Sequence, residues 1–283
     1  MTSTMRRETE AIPEIAQAAL ARQGDVIAAA AERIRRFAPR GLVTVGRGTS
    51  DHAADYAARL VAERIGLIGA SLPPSLVTLS KAPLDFRGQL VLAVSQSGRS
   101  PDVVACAEAA RAGGALTLAV VNDAASPLAD ACELVVTADA GPEVAVAATK
   151  SYVTSLLQIA RLVAAWTGNG DLDAAVASLP TPLAAAVATD WTAALGDLAP
   201  AHALFVVGRG LAHATAREAA LKLKETAGLH AEAVSSAEIM HGPKALLEPT
   251  TPLLLFAGRD LDRDAQAEAA AALAALAPEL WVA

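Results

Sequence analysis

The chain has 283 residues, with 23 Lys and Arg against 30 Asp and Glu, so its formal net charge is −7. Hydrophobic residues make up 53% and charged ones 19%, which supplies a sizeable core and excludes disorder as the main state. At 3% aromatics and with an acidic balance, neither base stacking nor attraction to phosphate backbones favours a nucleic-acid partner, and the length suggests about two domains.

The polar start, Met1 to Glu10, has no apolar stretch behind it, so no signal peptide is read there. No apolar run approaches the roughly 20 residues of a membrane helix, and the expected location is the cytoplasm. Cys106 and Cys132 have neither CxxC nor metal-ligand spacing, and two buried, reduced thiols are expected.

Residues 15–37 show helical periodicity through Ile15, Ala19, Ile27, Ala30, Ile34 and Phe37. Gln23-Gly24 interrupts the stripe, which leaves one helix or two. Short β-branched runs then alternate with Ala-rich amphipathic stretches. The runs are Leu42–Val45, Leu76–Leu79, Leu90–Val94, Leu116–Val121 and Leu134–Thr137. Continuous apolar strands separated by helices predict an α/β lobe, a parallel sheet covered on both faces. A helix near 150–166 closes it, and a Pro-flanked helical stretch bridges onward.

The pattern then restarts. Leu204-Phe205-Val206-Val207-Gly208-Arg209-Gly210 echoes Leu42-Val43-Thr44-Val45-Gly46-Arg47-Gly48 at an offset of 162 residues (208 − 46). At the same offset Ala54 meets Ala216, Glu63 meets Glu225 and Gly66 meets Gly228. This is an internal repeat of a whole lobe. The expected division is a helical segment at 1–38, a first lobe at 39–170, a helical linker at 171–200 and a second lobe at 201–283. The second lobe has four strand-like runs against five in the first, so it reads as cut short.

Ligands of open α/β sheets bind beyond the strand ends. The first such loop, Gly46-Arg47-Gly48-Thr49-Ser50-Asp51, permits close backbone approach, and its hydroxyls can donate to an anion at a helix start. It is not a dinucleotide fingerprint, because Asp51 stands where a third Gly belongs. The second loop, Ser95-Gln96-Ser97-Gly98-Arg99-Ser100-Pro101, brings hydroxyls, an amide and a helix start together. It reads either as a phosphate cradle or as a capped turn. The third, Gly141 to Lys150, reads as a loop entering a helix. In the second lobe Glu218, Lys222 and Glu225 share one helix face, as a solvated ion-pair stripe or as working groups. His241, before Gly242-Pro243, is expected in a turn, where a His can serve as an acid or base.

Ser95-Gln96-Ser97-Gly98, Ala147-Ala148-Thr149-Lys150 and the block from Leu221-Lys222-Leu223-Lys224-Glu225 to His241-Gly242-Pro243 occur in order. This ordered set, over residues 40–260, resembles the SIS (sugar isomerase) family. It is most like the isomerase half of glucosamine-6-phosphate synthases and the deaminases of that fold. The resemblance implies two tandem, flavodoxin-like SIS lobes and a sugar-phosphate substrate. It places Ser50, Ser95, Gln96, Ser97 and Ser100 at the phosphate, with Gly48 and Thr49 beside them, and Val146 and Ala148 at the sugar. Ala148 stands where the synthases have Ser.

By the same resemblance Glu225 is the base between C1 and C2, Glu218 and Lys222 support it, and His241 opens the ring from a neighbouring subunit. That implies a homodimer with shared sites, without cofactor or metal. A glutaminase region and a short Lys-bearing tail of the synthases have no counterpart in these 283 residues, which favours deamination of glucosamine 6-phosphate to fructose 6-phosphate. The alternatives are another phosphosugar aldose–ketose isomerase and a non-catalytic sugar-phosphate-binding protein.

Overall fold

The computed structural model describes residues 3–248, 250–258, 263–276 and 280–283. Two compact units divide the chain, 1–188 and 189–283. The first begins with helices α1 (Thr4–Glu10), α2 (Ile12–Leu20) and α3 (Gly24–Phe37). The interruption at Gln23-Gly24 does separate two helices, because Gln23 turns left-handed at φ 61° and stops the stripe.

The first sheet holds β1 (Gly41–Val45), β2 (Gly69–Ser71), β3 (Gln89–Ser95), β4 (Leu116–Val121) and β5 (Leu134–Thr137), all parallel, in the order β2-β1-β3-β4-β5. Helices α4 (Thr49–Ile65), α6 (Pro101–Ala112), α7 (Pro127–Ala131) and α8 (Lys150–Thr167) cover it. One expected strand is wrong. Leu76–Leu79 lies in and just after a short helix, α5 (Ser75–Thr78), and the second strand is Gly69–Ser71 instead. Pro73 and Pro74 explain the difference: Pro74 occupies the helix cap, Pro73 and Pro74 carbonyls accept the first turn's N–H groups, and no ladder can run through two residues lacking N–H. β2, Gly-Ala-Ser, carries no continuous apolar run.

α9 (Gly170–Ala177) packs on α8 and α10 (Pro180–Ala188) on α2, so both belong to the first unit. The second unit contains α11 (Leu195–Leu198), β6 (Ala203–Gly208), α12 (Ala212–Ala227), β7 (His230–Val234), β8 (Leu253–Phe256), α13 (Arg263–Ala274) and β9 (Leu280–Val282). Its parallel sheet runs β7-β6-β8-β9, the order of the first sheet less its fifth strand among the described residues. Alternate residues of β6 face opposite layers. Leu204 and Val206 pack with Ala216 and Ala220 of α12, whereas Phe205 and Val207 pack with Leu253, Leu255 and Leu273. Each fully buried side chain of this size contributes about 1.5–3 kcal/mol.

The repeat is visible in the backbone. Gly66 and Gly228 both end their helices left-handed, at φ 76° and 65°. A Cβ on Gly46 would lie 2.8 Å from the Ser50 carbonyl oxygen, and one on Gly208 would fall on the carbonyl of Ala212. Ser50 and Ala212 are themselves 162 apart (212 − 50), so both lobes need Gly where the following helix passes over the strand end.

Both cysteines are free and buried, as expected. Burial pushes the Cys106 thiol up to about 11 and the Cys132 thiol up to about 12. An acid with a raised pKa keeps its proton to higher pH, and the thiolate is the reactive form. Ellman's reagent at pH 8 is therefore expected to titrate neither thiol quickly in the native protein and both after denaturation. Fast native labelling of either would contradict this packing. Among the described residues no helix is long and apolar enough to cross a membrane.

Candidate active site

In the first sheet the chain leaves β1 toward β2 on one side, and β3 leads to β4 and β5 on the other. The two connections diverge and open a crevice beyond the strand ends, between the β1–α4 and β3–α6 loops. Those loops are Gly46–Gly48 and Gln96–Ser100. Arg47 bridges them: its Nε donates to Asp102 at 2.7 Å. Burial works to raise the Asp102 pKa, but the Arg47 guanidinium and the Val103 N–H outweigh it and hold the carboxyl below its ordinary value.

Within the β3–α6 loop, the buried Ser95 hydroxyl accepts from Gly98 N at 3.1 Å, and Ser97 Oγ accepts from Arg99 N at 3.3 Å. Gly98 sits at φ 63°, and its carbonyl accepts from Leu128 N at 3.0 Å. Ser100 has the extended cap conformation expected of it, with Pro101 as first helical residue, but its hydroxyl makes no capping bond. Gln96, Ser97 and Arg99 are exposed and Ser100 half-buried. Across the crevice Thr49 and Ser50 open α4 after Gly48. The first lobe thus gathers Gly48, Thr49, Ser50, Ser95, Gln96, Ser97 and Ser100 around two helix starts, an arrangement suited to an anion.

The third loop is held from several sides. Asn122 Nδ2 donates to Gly141 O at 2.8 Å, and Ala140 N donates to Asn122 Oδ1 at 2.9 Å. The buried Lys150 donates to the Pro142 carbonyl. Glu143 accepts from Thr149 N at 3.0 Å, from Ser151 N and the Ser151 hydroxyl, and from Gln96 Nε2 at 3.2 Å. It therefore caps α8 from a distance and ties that helix start to the candidate cradle. The backbone between these anchors presents Val146, 98% exposed, and the half-buried Ala148.

In the second lobe Lys222 Nζ lies 3.3 Å from Glu218 Oε1 and donates to Glu225 Oε2 at 2.7 Å. Side-chain exposure rises from 8% at Glu218 through 15% at Lys222 to 34% at Glu225. A solvated stripe would leave all three in water. Here the ion pairs are rooted in the core and lead outward to one accessible carboxylate. His241 ends a 3-10 turn, Glu238–His241, and is exposed.

Periodicity gave no sign of Glu143, Asn122 or Lys150, which act through loop hydrogen bonds. Lys150 belongs to the Ala147-Ala148-Thr149-Lys150 run, and Glu143 stands as a carboxylate between Pro142 and an apolar run.

The sequence profile of the SIS domain matches residues 38–165 and 197–278. The glutamine–fructose-6-phosphate aminotransferase (isomerizing) of Symbiobacterium thermophilum is 37% identical over 227 residues, which are 76% of this chain and 37% of that protein. The enzyme of the same name from Thermococcus kodakarensis is 33% identical over 277 residues, 88% of this chain and 43% of that protein. The chain thus spans about two fifths of the length of these curated relatives. A crystal structure assigned as a phosphosugar isomerase from Silicibacter pomeroyi DSS-3 superposes with a TM-score of 0.94 at 42% identity, covering 99% of this chain and 85% of that one.

Proposed function

The chain belongs to the SIS family, and on that premise we propose that it is a phosphosugar isomerase whose reaction is the isomerising deamination of glucosamine 6-phosphate. The observation that carries the reading is the Glu218–Lys222–Glu225 array, rooted in the core and open at Glu225. A sugar-phosphate sensor has no use for a base held by a half-buried ammonium that is itself paired to a buried carboxylate. The relatives' names supply the chemistry, since amino transfer onto fructose 6-phosphate read backward releases nitrogen from glucosamine 6-phosphate.

In this proposal the Ser95–Ser100 loop, with Thr49 and Ser50, anchors the phosphate, and the backbone at Val146 and Ala148 meets the sugar. His241 moves a proton as the ring opens. Glu225 takes the proton from C2 of the open-chain aldehyde and returns one at C1. The C2 amine gives up a proton as it becomes an imine, the aldehyde oxygen gains one to become the C1 hydroxyl, and water converts the imine to the ketone with loss of ammonia. General acid–base groups of this kind give about 10²–10⁴-fold each. A homodimer, with His241 serving the neighbouring subunit's site, belongs to the same proposal; the exposure of His241 suits it.

The test is proton NMR of glucosamine 6-phosphate in D₂O with the full chain. Loss of the C2 proton signal with appearance of fructose 6-phosphate is expected. Exchange at C2 without ammonia release would replace the deaminase reading with a plain isomerase. An unchanged spectrum would overturn the amino-sugar reading.

A further inference from the structure

We propose that Glu8, on α1 and outside both segments matched by the SIS profile, is a positioning residue that sets the sugar-facing loop at 144–148; the role of that loop rests on the function proposed above. Glu8 is 8% exposed on a helix whose neighbouring Arg6 and Arg7 are in solvent. Its Oε1 accepts from Val144 N at 2.7 Å and its Oε2 from Ala145 N at 3.2 Å. One carboxylate holding two successive amides fixes both their position and their orientation.

The loop has little else to hold this stretch. Val144 is 77% exposed and Val146 98%, so side-chain packing does not locate them. Glu143 secures the far side, toward α8 and Gln96. Glu8 secures the near side, and the two carboxylates bracket the backbone that presents Val146 and Ala148. A clamp of this kind governs the contacts at the sugar and leaves the phosphate cradle untouched, because the Glu8 carboxylate is bonded to the loop amides of Val144 and Ala145 and not to the Ser95–Ser100 segment.

The experiment uses the full chain with Glu8→Ala and the milder Glu8→Gln, whose single amide oxygen can keep one of the two bonds. Hydrogen exchange in the 141–149 segment is expected to quicken at least about tenfold in Glu8→Ala while β3 and β4 stay protected. kcat/KM for the sugar phosphate is expected to fall roughly 10²-fold, the scale of a small misplacement at a reacting group. Competitive inhibition by inorganic phosphate is expected to stay within about twofold, and Glu8→Gln to lie between wild type and Ala.

Unchanged exchange at 141–149 would overturn the clamp whatever the activity. Parallel loss of phosphate inhibition and sheet protection would reduce Glu8 to a general stability role and overturn it as well. Quickened exchange in a protein whose wild type turns over no sugar phosphate would refute the functional reading and retain the clamp.

Discussion

Replacing Glu225 by Gln is expected to cut turnover by about 10²–10⁴-fold while sugar-phosphate affinity stays near wild type. The amide is the same shape and still accepts from Lys222, so the helix face keeps its geometry and loses only the group that can take a proton. The repeat supplies a control. Glu63 on α4 stands at the position matching Glu225, but Leu60 stands where Lys222 would be and Tyr56 where Glu218 would be. Glu63→Gln is expected to leave turnover unchanged. Equal losses in the two variants would point to helix stability rather than to proton transfer, and full activity in Glu225→Gln would remove Glu225 as the base.

Gly98→Ala is expected to be the most damaging single-methyl change in the candidate cradle. Ala pays about 1–2 kcal/mol to hold the left-handed conformation at φ 63°. The new Cβ also collides with the side chain of Ser126, 2.5 Å from its Cβ, an atom no rotamer change can move. Overpacking of that kind costs a further roughly 1–3 kcal/mol. Gly98 cannot drift away without breaking its bonds to Ser95 Oγ and Leu128 N. A lowered urea midpoint, together with weaker competition by inorganic phosphate, is the expected pair of results. An unchanged midpoint would mean that the loop is looser than this geometry.

Much of the fold was legible because it rests on patterns that survive in one dimension. Continuous apolar runs marked β1, β3, β4 and β5, and the 162-residue echo carried the same strand order into the second sheet. The failure at Leu76–Leu79 has the same physics behind it: three apolar residues and a β-branched Thr read as a strand until the N–H groups that Pro73 and Pro74 lack are taken into account. The candidate site was legible where it uses motifs, as at Ser95–Ser100 and along α12. It was opaque where it depends on long-range hydrogen bonds. Glu8 reads as one more charge beside Arg6 and Arg7, and nothing local connects it to amides 136 and 137 residues away. The helix spacing of Glu218, Lys222 and Glu225 gives their alignment but not their burial, which comes from tertiary packing.

Gln23, the residue that breaks the first helical stripe, has a second effect at the far side of the first sheet. Its side-chain amide accepts from Thr137 N at 2.9 Å and donates to Thr137 O at 2.6 Å, and also to Asp139 at 2.7 Å. Thr137 ends β5, the outermost strand. A side chain there takes both backbone groups that a docking strand would claim, as a paired neighbour does in an antiparallel ladder. Sheet extension from this end must first evict that amide. At Thr137 the outer edge of β5 is thereby blunted by a single polar side chain rather than by a sixth strand.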